Sequence, residues 1–171
     1  MSAPAAVGVA PSRIVVGIGE LAVAEGESSI VTHALGSCVA VCIWDPIARV
    51  GGMLHLLLPE SRINPGRADR QPAAFADTGI PLLFQRAYAR GLQKARTEVT
   101  LIGGAEISPD ATEGVMNVGR RNVLASRKML WGNGVLIRTE DVGGRRARTV
   151  AMSMQDGRIV VNAAGEPART L

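Results

Sequence analysis

Residues 38–45, CVAVCIWD, alternate with a two-residue period, and both faces of the alternation are apolar: Val39, Val41 and Ile43 on one, Ala40, Cys42 and Trp44 on the other. A half-buried strand alternates apolar with polar, so a strand apolar on both sides must be covered on both. The next apolar run, MLHLLLP at 53–59, sets the same condition. Between them, Asp45-Pro46 reads as the opening of a turn and Gly51-Gly52 as its close. Two neighbouring buried strands joined by so short a connection put Cys38 and His55 near the same end of one sheet.

Other segments carry further strand signals: RIVVGI (13–18), SIVTHAL (29–35), EVTLIGG leading into Gly103-Gly104, and three strands within 134–162, with Asp156-Gly157 as a hairpin turn. Two helices are expected. In FADTGIPLLFQRAYARG, Ile80, Leu83, Phe84 and Ala87 form a stripe, with Asp77 or Thr78 as N-cap, a regular start close to Pro81 and Gly91 at the end. A second helix covers about 117–131 and buries Val123, Leu124, Leu130 and Trp131. ESRINPGRADRQPA (60–73) reads as an exposed loop of the kind that carries function, and AEISPDATEG as another. The fold class is α+β, with mixed sheets and more strand than helix. Residues 1–12 are expected to form a disordered tail and 13–171 a single domain.

Composition removes several functions. Hydrophobic residues make up 47% of 171 positions, enough for one sizeable core, but aromatics only 3%, which leaves no platform for stacking bases. The charge of +4 comes almost wholly from arginine, since Lys94 and Lys128 are the only lysines. It reads as a solvated face or as steering toward an acidic protein partner; no nucleic-acid motif accompanies it. No apolar run reaches the ~18 residues of a membrane span, and the N-terminus does not read as a signal peptide. Two cysteines in one apolar run suit a reducing cytoplasm better than a disulfide framework.

Local pattern leaves three readings of Cys38 open. It is a nucleophile, a metal ligand, or a small apolar core residue. Only His33 and His55 are available as imidazole bases, and a paired imidazole makes thiolate accessible near neutral pH. His55, in an apolar run where an imidazole needs a polar partner, is the better candidate. Gly36 and Ser37 allow a sharp bend whose amides can stabilise an oxyanion. A zinc site would need Cys38, Cys42, His33 and His55 together, but an extended chain separates the two cysteines by about 13 Å. No metal or other cofactor is therefore expected.

VTHALGSCVAVCIWDP, GGMLHLLLP, FADTGIPLL, GGA, NVGRRN and DVGGRRAR, in this order over about residues 13–162, resemble the chemoreceptor glutamine deamidase family, CheD. The most specific element is LGSCV with GGMxHxxLP following. The resemblance implies a catalytic set of Cys38, His55 and Thr32, and a fold of packed mixed sheets with flanking helices similar to the cytotoxic necrotizing factor toxins. It implies methyl-accepting chemotaxis receptors as substrate and the phosphatase CheC as a partner. On this reading Cys38 attacks a glutamine carboxamide, His55 moves the protons, Thr32 orients His55 and Cys42 belongs to the core.

Two features depart from the family pattern: EISPDATEG follows GGA in place of a more apolar continuation, which leaves partner binding around 105–114 open, and His33 stands next to Thr32, as a second titrating group or as surface filler. Asn122 and Arg121 are read as a helix-start contact or as substrate contacts. Two other functions compete: a thiol amidase acting on small amides, and a non-catalytic adaptor that binds receptors or CheC. The intact Cys38, His55 and Thr32 argue against the adaptor.

Overall fold

The computed structural model describes residues 11–107 and 117–171; the expectations for 1–10 and for most of the 105–114 loop lie outside the described residues. The chain builds two five-stranded sheets. One contains β1 (Arg13–Val15), β3 (Ser29–Leu35), β8 (Arg148–Ser153), β9 (Ile159–Ala163) and β10 (Arg169–Thr170), in that order. The other runs β2 (Leu21–Glu25), β5 (Val50–Leu56), β4 (Val39–Asp45), β6 (Glu98–Gly103), β7 (Thr139–Val142). Both sheets are mixed: β1 pairs parallel with β3 and β6 with β7, and the other pairings are antiparallel.

The doubly apolar β4 is central to its sheet and buried at every position. Ala40, Cys42 and Trp44 join Ile30, Leu35, Val150 and Met152 of the opposite sheet in one core. Val39, Val41 and Ile43 pack in a second core under the helices α2 (Ala76–Tyr88) and α3 (Val118–Gly132). The result is an α+β stack of sheet, sheet and helices, as the apolar alternation requires.

Several expectations need correction. Gly51 and Gly52 lie inside β5 and do not close the turn, which spans 46–49. A Cβ on Gly51 would meet Trp44 and Met154, and one on Gly52 would meet Leu83, so these glycines make room for large neighbours. Residues 60–73 are not a loop. They fold into a 3₁₀ turn (Ser61–Ile63), helix α1 (Pro65–Arg70) and a second 3₁₀ turn (Pro72–Ala74). Asn64 caps α1 by accepting from the Arg67 amide, with Pro65 in the first turn.

Helix α2 starts at Ala76, with Phe75 in the N-cap position and Pro81 in its interior. Asp77 and Thr78 do not cap it: Asp77 accepts from the Ser61 amide and hydroxyl, and Thr78 donates to the Pro72 carbonyl. Gly91, just beyond the helix, takes a positive φ as expected. On α3, Val123 and Leu130 are buried, whereas Leu124 and Trp131 are half exposed. Strands β2 and β10 were not anticipated. The turn at Asp156-Gly157 joins β8 to β9 as the sequence predicts.

Candidate active site

In the antiparallel β4–β5 pair Ala40 stands opposite His55. Residues opposite one another project to the same face, and the position two before Ala40 is a diagonal neighbour of His55, at a spacing of about 7–8 Å and somewhat less at Cβ. That position is Cys38, in the same core cluster as Ala40 and Cys42. The two adjacent strands thus bring Cys38 and His55 to one end of one face. Cys42 lies further along the strand, fully buried, with its thiol pushed up to about 12 by desolvation.

Thr32 comes from the facing sheet. Its Oγ1 lies 2.7 Å from His55 Nδ1 and 2.7 Å from the carbonyl oxygen of Val16. A hydroxyl has one proton, and a carbonyl only accepts, so Thr32 donates to Val16 and must accept from His55. His55 therefore carries its proton on Nδ1. Its Nε2, buried and without a partner among the described residues, bears the free lone pair. Burial lowers the His55 pKa to about 4, against an opposing pull from Glu20. Burial also raises the Cys38 thiol above its ordinary value. The resting couple is thus a neutral thiol and a neutral imidazole.

The turn before Cys38 is fastened by its carbonyls. Gly36 O accepts from Ala105 N at 2.8 Å, and Cys38 O from Gly104 N at 2.7 Å. Ser37 O accepts from Asn122 Nδ2 at 2.9 Å. Among the described residues no acceptor takes the amides of Gly36 or Ser37. The close approach of the GGA segment depends on Gly103, where φ is 109° and a Cβ would strike the Cys38 carbonyl. A cavity of about 400 Å³ opens beside the turn, lined by Ser37, Cys38, Ala105, Glu106 and Gly119 among others.

His33 lies apart from this cluster. The β3–β8 register shifts between Thr32 and Leu35, Ala34 takes a φ of 56°, and His33 and Ala34 are exposed. Among the described residues no group of three His, Cys, Asp or Glu is placed to hold a metal ion.

Asn122 is the residue sequence reasoning misjudged. The α3 N-cap is Asn117, whose Oδ1 accepts from the Arg120 amide. Asn122 is fully buried, and its Nδ2 bonds the carbonyls of both Ser37 and Leu57 at 2.9 Å. Both partners are acceptors, so the orientation of the amide is fixed. One side chain ties the turn before Cys38 to the end of the strand carrying His55. A signal was present: Asn122 shares the buried side of α3 with Gly119, Val123, Ser126 and Leu130. Asn122→Asp keeps the size but removes both donors. It is expected to slow alkylation of Cys38 and to lower the melting temperature, by an amount matching about 2–3 kcal/mol, read by differential scanning fluorimetry beside thiol alkylation.

Residues 57–163 match the family model described as "CheD chemotactic sensory transduction". The chain is 47% identical over 158 residues to "Probable chemoreceptor glutamine deamidase CheD 2" of Anaeromyxobacter dehalogenans, covering 92% of this chain and 98% of that one. It is 43% identical over 159 residues to "Probable chemoreceptor glutamine deamidase CheD 1" of Syntrophus aciditrophicus, with the same shares covered. To "Chemoreceptor glutamine deamidase CheD" of Thermotoga maritima it is 42% identical over 151 residues, covering 88% of this chain and 92% of the relative. With matches of this extent to relatives of one name, the chain belongs to the CheD family.

Proposed function

We propose that this protein deamidates glutamine side chains of chemotaxis receptors to glutamate, releasing ammonia, with Cys38 as nucleophile, His55 as general base and acid, and Thr32 as the group that orients His55. The observation that carries the reading is the Thr32–His55 contact, because it leaves Nε2 as the free base at the end of the sheet where Cys38 sits. The names of the relatives support the substrate class. Their matches over most of the chain support residues 13–171 acting as one domain. Among the described residues no helix is long and apolar enough to cross a membrane, which is compatible with action in the cytoplasm on the receptors' inner helices. The family resemblance adds CheC as a proposed partner.

The steps balance without a cofactor. Cys38 sulfur bonds to the carboxamide carbon as its proton passes to His55 Nε2. The amides around Gly36 and Ser37 receive the developing oxyanion, and their carbonyls, already occupied, hold them in place. His55 returns the proton to the departing nitrogen, giving ammonia and a thioester. His55 then takes a proton from water, whose oxygen adds to the carbonyl. Cleavage of the C–S bond leaves glutamate, and Cys38 recovers its proton.

Mass spectrometry of a purified chemoreceptor cytoplasmic fragment incubated with the protein tests this reading. Discrete glutamines should each gain about one mass unit, the difference between NH₂ and OH. Binding of the fragment with no glutamine converted would leave the non-catalytic adaptor. Ammonia released from small amides alone would leave the amidase.

A further inference from the structure

Three buried side-chain polar atoms have no hydrogen-bond partner among the described residues: His55 Nε2, Asn122 Oδ1 and Glu106 Oε1. Native proteins leave few such atoms, because each carries the full cost of its lost hydration. All three belong to residues around Cys38. His55 is the base and Asn122 holds the turn through its Nδ2, which leaves Glu106 without a role. We propose that Glu106 selects the carboxamide at Cys38: its carboxylate accepts a hydrogen bond from the substrate NH₂ and repels the carboxylate of the glutamate product. This deepens the deamidase reading and rests on Cys38 as the attacking thiol.

Glu106 is held beside the nucleophile by its backbone. The β4–β6 pairing ends with Val39 opposite Gly103, and the two chains stay together beyond it. Gly104 N donates to Cys38 O at 2.7 Å and Ala105 N to Gly36 O at 2.8 Å. Glu106 N then donates to Gly144 O at 2.8 Å. From the other side, the first turn of α3 presses on the same segment: a Cβ on Gly119 would strike the carbonyl oxygens of Gly104 and Ala105, at 2.5 and 2.8 Å. Glu106 and Cys38 consequently line one cavity of about 400 Å³.

Among the described residues that line this cavity, Glu106 alone carries a charge. Arg120, Arg127 and Arg145 line an adjoining cavity that Glu106 also borders, and Arg127 is already paired with Glu140 at 2.7 Å. A carboxylate offers acceptors only, and a primary carboxamide supplies two N–H donors that a glutamate side chain lacks. The terminal torsion of a glutamate is broad and roughly two-fold, so Glu106 can turn either oxygen toward an arriving NH₂. With the amides around Gly36 and Ser37 on the carboxamide oxygen and Glu106 on its nitrogen, the two ends of the group are told apart. After hydrolysis an anionic oxygen stands where NH₂ stood, and two carboxylates repel. The group that admits glutamine thus expels glutamate.

Competing alkylation of Cys38 by iodoacetamide and iodoacetate reads this selection with no receptor present, and peptide mass mapping separates Cys38 from the buried Cys42. Both reagents react with the same thiolate, so the ratio of their rates cancels any change in thiol ionisation. Glu106→Gln removes the charge at nearly constant size. It is expected to reduce the preference for iodoacetamide over iodoacetate about three- to tenfold, whereas Glu106→Asp should keep most of it. With a receptor fragment as substrate, the converted, glutamate-containing fragment should inhibit Glu106→Gln at least about threefold more strongly than wild type. If Glu106→Gln does not fold, Glu106→Ala, which also removes the charge, gives the same comparison.

An unchanged ratio in Glu106→Gln, or equal ratios in the Asp and Gln variants, overturns the proposal. So does product inhibition that the substitution leaves unaltered. A ratio that shifts as expected in a protein that converts no receptor glutamine would refute the deamidase reading and leave Glu106 selecting amides over carboxylates at Cys38.

Discussion

With Cys38 changed to alanine, a receptor fragment is expected to emerge from incubation with every glutamine intact, a loss of at least about 10⁴-fold in conversion. The expectation is this large because no other group takes over. Cys42 faces the same core but is fully buried, with its thiol pushed up to about 12, and its place on the strand puts it beyond the cavity. A hydroxide route would use the same oxyanion amides but lose the covalent step. The fold should survive, since alanine fills most of the space of the cysteine side chain, at a residue only 6% exposed. The check is conversion measured by mass beside the melting temperature of the variant. Conversion by a folded Cys38→Ala protein at more than a hundredth of the wild-type rate would remove Cys38 from the chemistry.

The same residues show what a sequence can reveal. Periodicity exposed β4 and β5, because a strand buried on both faces leaves an unbroken apolar record. Their short connection then put Cys38 and His55 at one end of the sheet. The partners of that pair were harder to place. Asn122 acts through two carbonyls, 85 and 65 residues away in sequence, and backbone carbonyls leave no mark on composition. Helix α1 was mistaken for loop because its residues are polar and exposed, although Asn64 followed by Pro65 is a helix-start signal in its own right. Strand β2, LAVAE, is mostly half-buried and built partly of alanine, with Val23 its single β-branched residue, so it carries little of the signal that identifies strands. Leu124 and Trp131 were assigned to the core by hydrophobicity alone; on α3 they lie outside the stripe through Val123, Ser126 and Leu130. Gly51 and Gly52 resembled a turn because the size of Trp44 and Leu83 opposite them cannot be inferred before the register is known.

Asp45 supplies the second large effect, and it concerns the fold. The sequence assigns it a turn contact before Pro46; the structure gives it much more. Fully buried at the far end of β4 from Cys38, its carboxylate accepts from the amides of Ile47, Ala48 and Gln93 and from the Arg96 guanidinium. Burial alone would raise its pKa, but these donors outweigh burial and hold the carboxyl well below the usual carboxylate range. Asp45→Asn retains the shape but removes the charge and forces an amide NH₂ toward donors. It is expected to cost about 2–4 kcal/mol, toward the lower end of the range for a broken buried pair because Arg96 remains 27% exposed and can be hydrated. The pH dependence follows from the depressed pKa. The native state keeps Asp45 ionised where the unfolded chain takes up a proton, so this stabilisation is complete above an unfolded value near 4 and is lost progressively as pH falls from there through the depressed folded value. Urea melts at pH 7 and pH 3 should therefore separate wild type from Asp45→Asn widely at the higher pH and less at the lower one, where the loss has begun. Equal stability at pH 7 would show the cluster to be dispensable. At a temperature where the variant is folded, its Cys38 should alkylate at the wild-type rate, because the seven residues of β4 place roughly 20 Å between the two ends. One strand thus anchors the fold at Asp45 and leads to Cys38 at its other end, and loss of stability at one end with unchanged thiol reactivity at the other would demonstrate that division.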